Sequence, residues 1–546
     1  MQMMTDYPPP TSLEQLYDYL KRFSLSDSLL VVSIANNAFK YGYVALNTEA
    51  NPNTLAWIMD NCKEPRHRAE LTMQLSRLAR FLLLSRANDY KTPILDTGTP
   101  QMQDAIFLVS NLHDKDVEGE IKSMTDMTRV MGRIGQWQFP LQIDRRDVMG
   151  RGYLLFLQLP KALKLSYSFD EKMKEYFGLD AFQFIASGLA SWLMSTGVLK
   201  YKLTIEIDAL KGFVTTEKLD KFVELSSGTP EDYRRYVRGD DWKTPNKLLD
   251  IYSLDPLYKM PAVRVEKSGK LETGQYVVPQ PLYLLVRASL GIFHLLGDKE
   301  REIALAQEKE GKNEFRETFG AVYRQYVGQQ LEQAHTPVVF IDLDKEIGTD
   351  IRKPDFALLK NDTCILFEVK TAFLTLNPRM LFDTNVARIE LSNNTGNFKK
   401  ALDQLNIFGQ AVIDGKLSDF RFKDIKKIVK VIVGFEDMYL ANAFLLPLAK
   451  EIYGEQANQL QIATLTDIEI IGSRLALRGD VVEAIWEKVE TPDVNEHSLG
   501  MFVAQKTPAP KDSNPLLRKA FEEFMTKISG KDYTNGNDPF KGEPMI

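Results

Sequence analysis

The sequence predicts a multidomain protein of mixed α+β and α/β class, with a helix-rich N-terminal part and a C-terminal core that mixes helices and strands. Three observations predict it. At 546 residues the chain exceeds what one ordinary hydrophobic core holds together. Helical spacing of apolar residues dominates the first half. From about residue 313 a helical pattern is followed by two strand patterns across a polar turn, then another helix and further apolar strands. Hydrophobic residues at 44% and charged residues at 26% provide apolar surface to bury and argue against disorder or a fibre. A net charge of −6 excludes nonspecific duplex binding over the whole surface, so any nucleic-acid contact must be local.

Along the chain, residues 1–300 form a helix-rich recognition or regulatory region, with a subdomain break near 150–165. Ser12 and Gln15 have the spacing of a capping box, and Leu71, Leu75, Leu78 and Leu82 recur at helical spacing. Arg68, Arg77, Arg80 and Arg86 on that helix read as solvated. Arg234, Arg235 and Arg238 precede Asp240 and Asp241 and are expected to pair locally. Ala181–Leu199 is free of charge, but its Gln, Ser and Thr residues make it a buried core helix and not a membrane span. Ala262–Val278 suggests strands and Leu282–Leu296 a helix. Residues 299–313 read as an exposed connector.

Residues 301–490 hold the chemistry. Phe315, Phe319, Val322, Tyr326 and Leu331 predict an amphipathic helix over 313–333. Then Lys353-Pro354-Asp355 opens a strand, Asn361-Asp362 turns it, and Ile365-Leu366-Phe367-Glu368-Val369-Lys370 returns, with Glu368 and Lys370 alternating against apolar neighbours. An acid-x-Lys spacing alone carries little, since Asp241/Lys243 and Asp424/Lys426 repeat it. Only the copy at Glu368 follows an apolar strand and an Asp that opens the neighbouring one. Asn397–Leu405 starts a helix that carries Gln404. Ile428–Phe435 and Leu460–Ile471 are apolar enough to be strands inside a sheet.

Pro354-Asp355 followed by Glu368-Val369-Lys370 resembles the signature of the PD-(D/E)XK nucleases, a superfamily of restriction, repair and phage-defence enzymes, over roughly residues 310–475. The resemblance implies a restriction-endonuclease-like core of order αβββαβ and Mg²⁺ (or Mn²⁺) held by Asp355, Glu368 and the Val369 carbonyl. Lys370 is then expected to position or deprotonate the attacking water, and Gln404 to touch a phosphate or order a water. Members usually carry a helical acid as well. Here the expected position holds Tyr323 or Arg324, and Glu317 is the candidate substitute. Lys400, Arg421, Lys423, Lys426 and Lys427 are the candidate nucleic-acid contacts, within a basic stretch that also contains Lys416 and Lys430.

The implied function is a metal-dependent endonuclease acting on nucleic acid, DNA favoured, in bacterial antiviral defence. An RNA- or tRNA-cleaving effector of the same fold and a noncatalytic nucleic-acid-binding module are the alternatives. A homo-oligomer or a partner protein of a defence system fits the same reading. A rival motif, Val338–Asp344 with Asp342-x-Asp344, resembles the nucleophile loop of haloacid-dehalogenase-like phosphatases, but Lys345 and the hairpin that follows leave no room for that fold's crossover helix. No glycine-rich phosphate loop and no His-Glu-x-x-His occur. Cys62 and Cys364 cannot form a disulfide framework, and the opening residues lack a signal-peptide pattern, so a cytoplasmic setting without a membrane partner is expected. Residues 491–546 read as a C-terminal extension with one amphipathic helix at Pro515–Ile528 and a disordered tail from Asp532.

Overall fold

The computed structural model describes residues 11–41, 52–61, 63–86, 93–112, 124–138, 144–195, 198–199, 214–265, 275–307, 313–508 and 514–530. The expected tail from Asp532 and Cys62 lie outside them. The protein is a helix-rich α+β molecule with two small mixed sheets.

Ser12 caps α1 (Leu13–Leu20) as its spacing predicts. Its hydroxyl accepts from the Gln15 N–H at 3.3 Å, and the Gln15 side-chain Oε1 accepts from the Ser12 N–H at 2.9 Å. Helices α2 (Leu25–Tyr41) and α3 (Pro65–Leu84) join α1 in an N-terminal core, where Leu71, Leu75, Leu78 and Leu82 are buried. Arg80 on α3 is itself buried and donates to the carbonyls of Leu249, Asp250 and Ser253. Arg238 pairs with the buried Asp250 at 2.7 Å and Arg235 with Glu231 at 2.6 Å, so the local partners are not Asp240 and Asp241.

Further along come α4 (Met124–Gln138), α5 (Arg145–Tyr153) and α6 (Ala181–Met194). Helix α6 is the charge-free segment, capped reciprocally by Asp180 and Gln183 and buried within protein. Among the described residues no helix is long and apolar enough to cross a membrane. A small sheet of order β1-β4-β3-β2 follows, from β1 (Val198–Leu199), β2 (Ser227–Gly228), β3 (Ala262–Arg264) and β4 (Tyr276–Val277). The long helix α7 (Leu282–Ala306) absorbs the first part of the expected connector, and α8 (Glu314–Leu331) matches the predicted amphipathic helix.

The second sheet has order β5-β6-β7-β8-β9. Strands β5 (Val339–Asp342), β6 (Phe356–Lys360) and β7 (Thr363–Lys370) run antiparallel in sequence, while β8 (Lys427–Gly434) and β9 (Leu460–Ala463) continue parallel to β7. Asn361 takes a positive φ of 54° in the β6–β7 turn, the conformation that Asn tolerates best after Gly. Short α9 (Leu376–Leu381), a helix at Thr384–Ser392 and then α10 (Asn397–Ile413) fill the crossover from β7 to β8. Helix α11 (Ala441–Tyr453) links β8 to β9.

Alternation sends Phe356, Leu358, Ile365, Phe367, Val429, Val431 and Val433 to the face packed by α8. Ile341, Ala357, Leu359, Cys364, Leu366 and Ile432 go to the face packed by α10 and α11. Neither side of β7 faces solvent, so Glu368 and Lys370 stand at the end of an otherwise apolar face covered by a helix. The predicted strand Leu460–Ile471 stops at Ala463. Thr464 and Asp467 form a capping box there, and the chain enters α12 (Leu465–Ala476), followed by α13 (Val481–Glu490).

The hydrophobic core does not divide where the sequence suggests. One continuous cluster runs from Val148 to Ile528 and joins α5, α6, α7 and α8 to the second sheet. The expected boundary at 300 lies inside α7, and the expected break near 150–165 falls within a helical run. Nor is the C-terminal stretch an appendage. In α14 (Leu499–Lys506) and α15 (Pro515–Ser529), Leu499, Val503, Leu517, Phe521 and Phe524 belong to that same core.

Candidate active site

Asp355 sits at the mouth of β6, held by backbone on both sides. Its N–H donates to the Phe367 carbonyl at 3.0 Å and its carbonyl accepts from the Leu343 N–H at 3.1 Å. The side chain is held as firmly, with Oδ2 accepting from the Val369 N–H at 2.8 Å and Oδ1 from Arg324 Nε at 2.6 Å. Phe367 and Val369 therefore turn their backbone polar groups to the same edge. The Val369 carbonyl, on the side of its own N–H, faces the Asp355 end of the pair.

Glu368 lies between these residues on β7, only 3% exposed. One carboxylate oxygen pairs with the Lys370 ammonium, and Oε2 accepts from Gln404 Nε2 at 3.2 Å. Gln404 also donates to the Lys353 carbonyl at 3.0 Å and accepts from Arg352 Nη2 at 2.9 Å, so it bridges α10 to the strand that delivers Asp355. Asp355, Glu368, Lys370 and Gln404 are thus brought together at the C-terminal end of β7, where β7 and β8 run parallel. In open α/β sheets this is the edge at which ligands bind.

The two acids feel each other. Burial pushes the Glu368 carboxyl up to about 7, and the Asp355 charge adds to it, with Lys370 pulling the other way. Burial also raises Asp355, opposed by the Val369 hydrogen bond, the Arg324 guanidinium and the Lys370 charge. Such a pair stores electrostatic cost that a divalent cation would relieve. The donors suit a hard ion: two carboxylates and a carbonyl, all oxygen, as Mg²⁺ or Mn²⁺ prefers. Each Asp355 oxygen carries one protein hydrogen bond and keeps lone-pair capacity for an ion. Asp355, Glu368 and Val369 therefore fit the implied metal.

Glu317 does not join them. It is exposed in the first turn of α8, seven residues before Arg324, a rise of roughly 10 Å. Arg324 is the α8 residue that reaches Asp355. Among the described residues no set of three His, Cys, Asp or Glu side chains is arranged around an ion. Tyr323, the neighbouring position, points into the core, its hydroxyl donating to the Gly434 carbonyl at 2.7 Å.

The basic residues separate. Lys400 is exposed one turn before Gln404, at the mouth of the site. Lys427 pairs in register with Thr363, five residues before Glu368, so it sits roughly 17 Å away at the opposite end of the sheet. There it meets Asp362 at 3.2 Å. The backbone N–H groups of Lys426 and Lys427 both bond the Asp362 carbonyl, which places Lys426 at that end too, its side chain exposed. Lys423 is also exposed. Arg421 is held by Asp419 at 2.8 Å and Glu346 at 2.7 Å. Lys430 is buried against Asn406 and the Gln456 carbonyl, and burial lowers its ammonium to about 8. The expected continuous phosphate track is therefore divided: Lys400 shares α10 with Gln404, whereas Lys426 and Lys427 lie at the far end of the sheet.

Arg352 was not singled out by pattern, yet it is exposed, bonded to Gln404, and its charge acts on Glu368. Its place directly before Lys353-Pro354-Asp355 was the available signal. The rival Asp342-x-Asp344 motif is spent on ion pairs. Asp342 binds Arg324 and Lys345, Asp344 binds Arg324, and β5 passes through one short helical turn into the antiparallel β6.

No protein-family model, curated protein or solved structure matches this chain.

Proposed function

We propose that this protein is a divalent-metal-dependent endonuclease of the PD-(D/E)XK type, acting on nucleic acid in the cytoplasm, with DNA the favoured substrate and antiviral defence the setting. The observation that carries the reading is the convergence of Asp355, Glu368, Lys370 and Gln404 at one sheet edge. Asp355, Glu368 and the Val369 carbonyl would hold Mg²⁺, which when bound supplies Lewis-acid polarisation of a phosphoryl oxygen.

The chain's own groups do the rest. The Lys370 ammonium, fixed on Glu368, stands where it can orient an incoming water and offset negative charge developing on the phosphoryl group. Gln404, tied at its amide nitrogen to Glu368 and the Lys353 carbonyl, holds Arg352 in place through its oxygen. Arg352 and Lys400 then offer the exposed positive charge that a phosphodiester backbone needs beside the scissile bond.

Cleavage of plasmid DNA, single-stranded DNA and total RNA by the full chain with Mg²⁺ or Mn²⁺ tests this. Asp355→Ala is expected to abolish cleavage. Lys370→Ala is expected to lower the rate by a factor on the order of 10² to 10⁴. Parent-like circular dichroism would exclude unfolding as the cause. A variant that cuts like the parent removes that residue from the mechanism. A noncatalytic nucleic-acid-binding module is the second reading, favoured by one observation: Arg324 occupies the place beside Asp355 where a further acid was expected. Intact substrates under every metal condition, together with retained nucleic-acid binding, would select it.

A further inference from the structure

We propose that Arg324 stands in for a second divalent ion, so that the Asp355/Glu368 site takes one metal ion per chain. The inference rests on the metal-dependent reading above and concerns how that site is charged. The Arg324 guanidinium lies 4.6 Å from the Phe356 ring and gathers three acids: Asp355 at 2.6 Å, Asp342 at 2.8 Å and Asp344 at 3.1 Å. A guanidinium keeps its charge at any working pH and its planar fork is held by several partners at once.

Count the charges at the reacting edge. Asp355, Glu368, Asp342 and Asp344 bring four negative charges, and Arg324, Lys370, Lys345 and Arg352 bring four positive ones. One divalent ion adds two positive charges, which a phosphodiester and the negative charge developing during its attack can offset. A second ion would add two more in a largely buried site with nothing to balance them. Geometry agrees. A second ion on Asp355 Oδ1 would lie directly against the Arg324 guanidinium, and Asp342 is already divided between Arg324 and Lys345. Arg324 is therefore a positioning residue. It fixes the Asp355 carboxylate in a single orientation and supplies a permanent cation where a metal would otherwise have to bind.

Calorimetric titration of the full chain with MnCl₂, without nucleic acid, reads the stoichiometry directly. The parent is expected to bind one ion per chain. Arg324→Glu supplies a carboxylate in place of the cation and is expected to raise the count to two. Because that variant crowds four acids and can misfold, Arg324→Gln and Arg324→Lys accompany it. The Gln variant is expected to lose kcat by a factor on the order of 10² with KM little changed. The Lys variant, which keeps the charge, is expected to recover to within about tenfold of the parent. Two ions bound by a parent that cleaves would overturn this inference and leave the nuclease reading intact, as would parent-like kinetics in Arg324→Gln. A parent that neither binds Mn²⁺ nor cuts would overturn both.

Discussion

Glu368 concentrates the conflict between stability and use. In the folded protein, burial and Asp355 hold its proton on until about pH 7, whereas an unfolded chain releases it near 4.5. Between those values folding takes up a proton, so stability falls as pH rises through the window, and the loss is complete above it. Glu368→Gln removes the titration. In urea denaturation with chelator, the parent is expected to lose on the order of 1–3 kcal/mol more than the variant between pH 5 and pH 8. Identical pH slopes would show that Glu368 is not strained in this way. The variant is also expected to be inactive, trading function for stability. These residues were legible in sequence because the hairpin is local: Asp355, Glu368 and Lys370 lie within 16 residues, and strand alternation alone orders them. Gln404 was legible through its motif, a Lys followed by Gln-Leu on the helix after the hairpin. The role of Arg324 was not, because it depends on how α8 is rotated over the sheet, which a helical wheel does not fix.

At the scale of elements, the segment after Lys370 ties the site to the N-terminal core. Leu381, ending α9, packs into that core, while the next residue, Phe382, packs into the core of α10 and α11. Arg133 on α4 donates to the Leu381 carbonyl at 2.7 Å, and Phe382 takes a positive φ of 51°, a strained setting for a bulky residue. Gly132 permits this contact, because a Cβ there would lie 2.3 Å from the Phe382 ring. Gly132→Val is expected to destabilise the protein by roughly 1–3 kcal/mol through overpacking. A melting temperature equal to the parent's would show that the contact is looser than described. On the sheet itself, Phe367→Ala is expected to cost roughly 3–5 kcal/mol, since Phe367 is fully buried between β7 and α8. Apolar periodicity found β7 and α8, but not α4 or α9. It also missed the end of β9, where the apolar run continues into α12 and only the Thr464/Asp467 capping box marks the change of period.

At the scale of the whole molecule, the second sheet is not a separable domain. Arg151 on α5 makes a buried two-pronged ion pair with Glu469 on α12, both contacts 2.6 Å, and Tyr326 on α8 donates to the same carboxylate at 2.5 Å. Asn514, just before α15, bonds the Glu469 carbonyl and Gln330, each at 2.7 Å. Residues far apart in sequence thus close one core, and composition shifts near 300 and 490 could not reveal it, because they report local solvation and not long-range packing. A chain ending at residue 490 is expected to lose cooperative unfolding and become protease-sensitive throughout. The isolated segment 301–490 should fare no better. A truncated chain with a sharp, parent-like melt would contradict the shared core.

The central claim is that Asp355 and Glu368 share a divalent ion. Crystals of the full chain soaked in Mn²⁺, with anomalous diffraction recorded at the manganese edge, test it most directly. A single peak is expected within roughly 2.0–2.4 Å of an oxygen from each carboxylate and from the Val369 carbonyl. A manganese peak elsewhere, with none between Asp355 and Glu368, would contradict it.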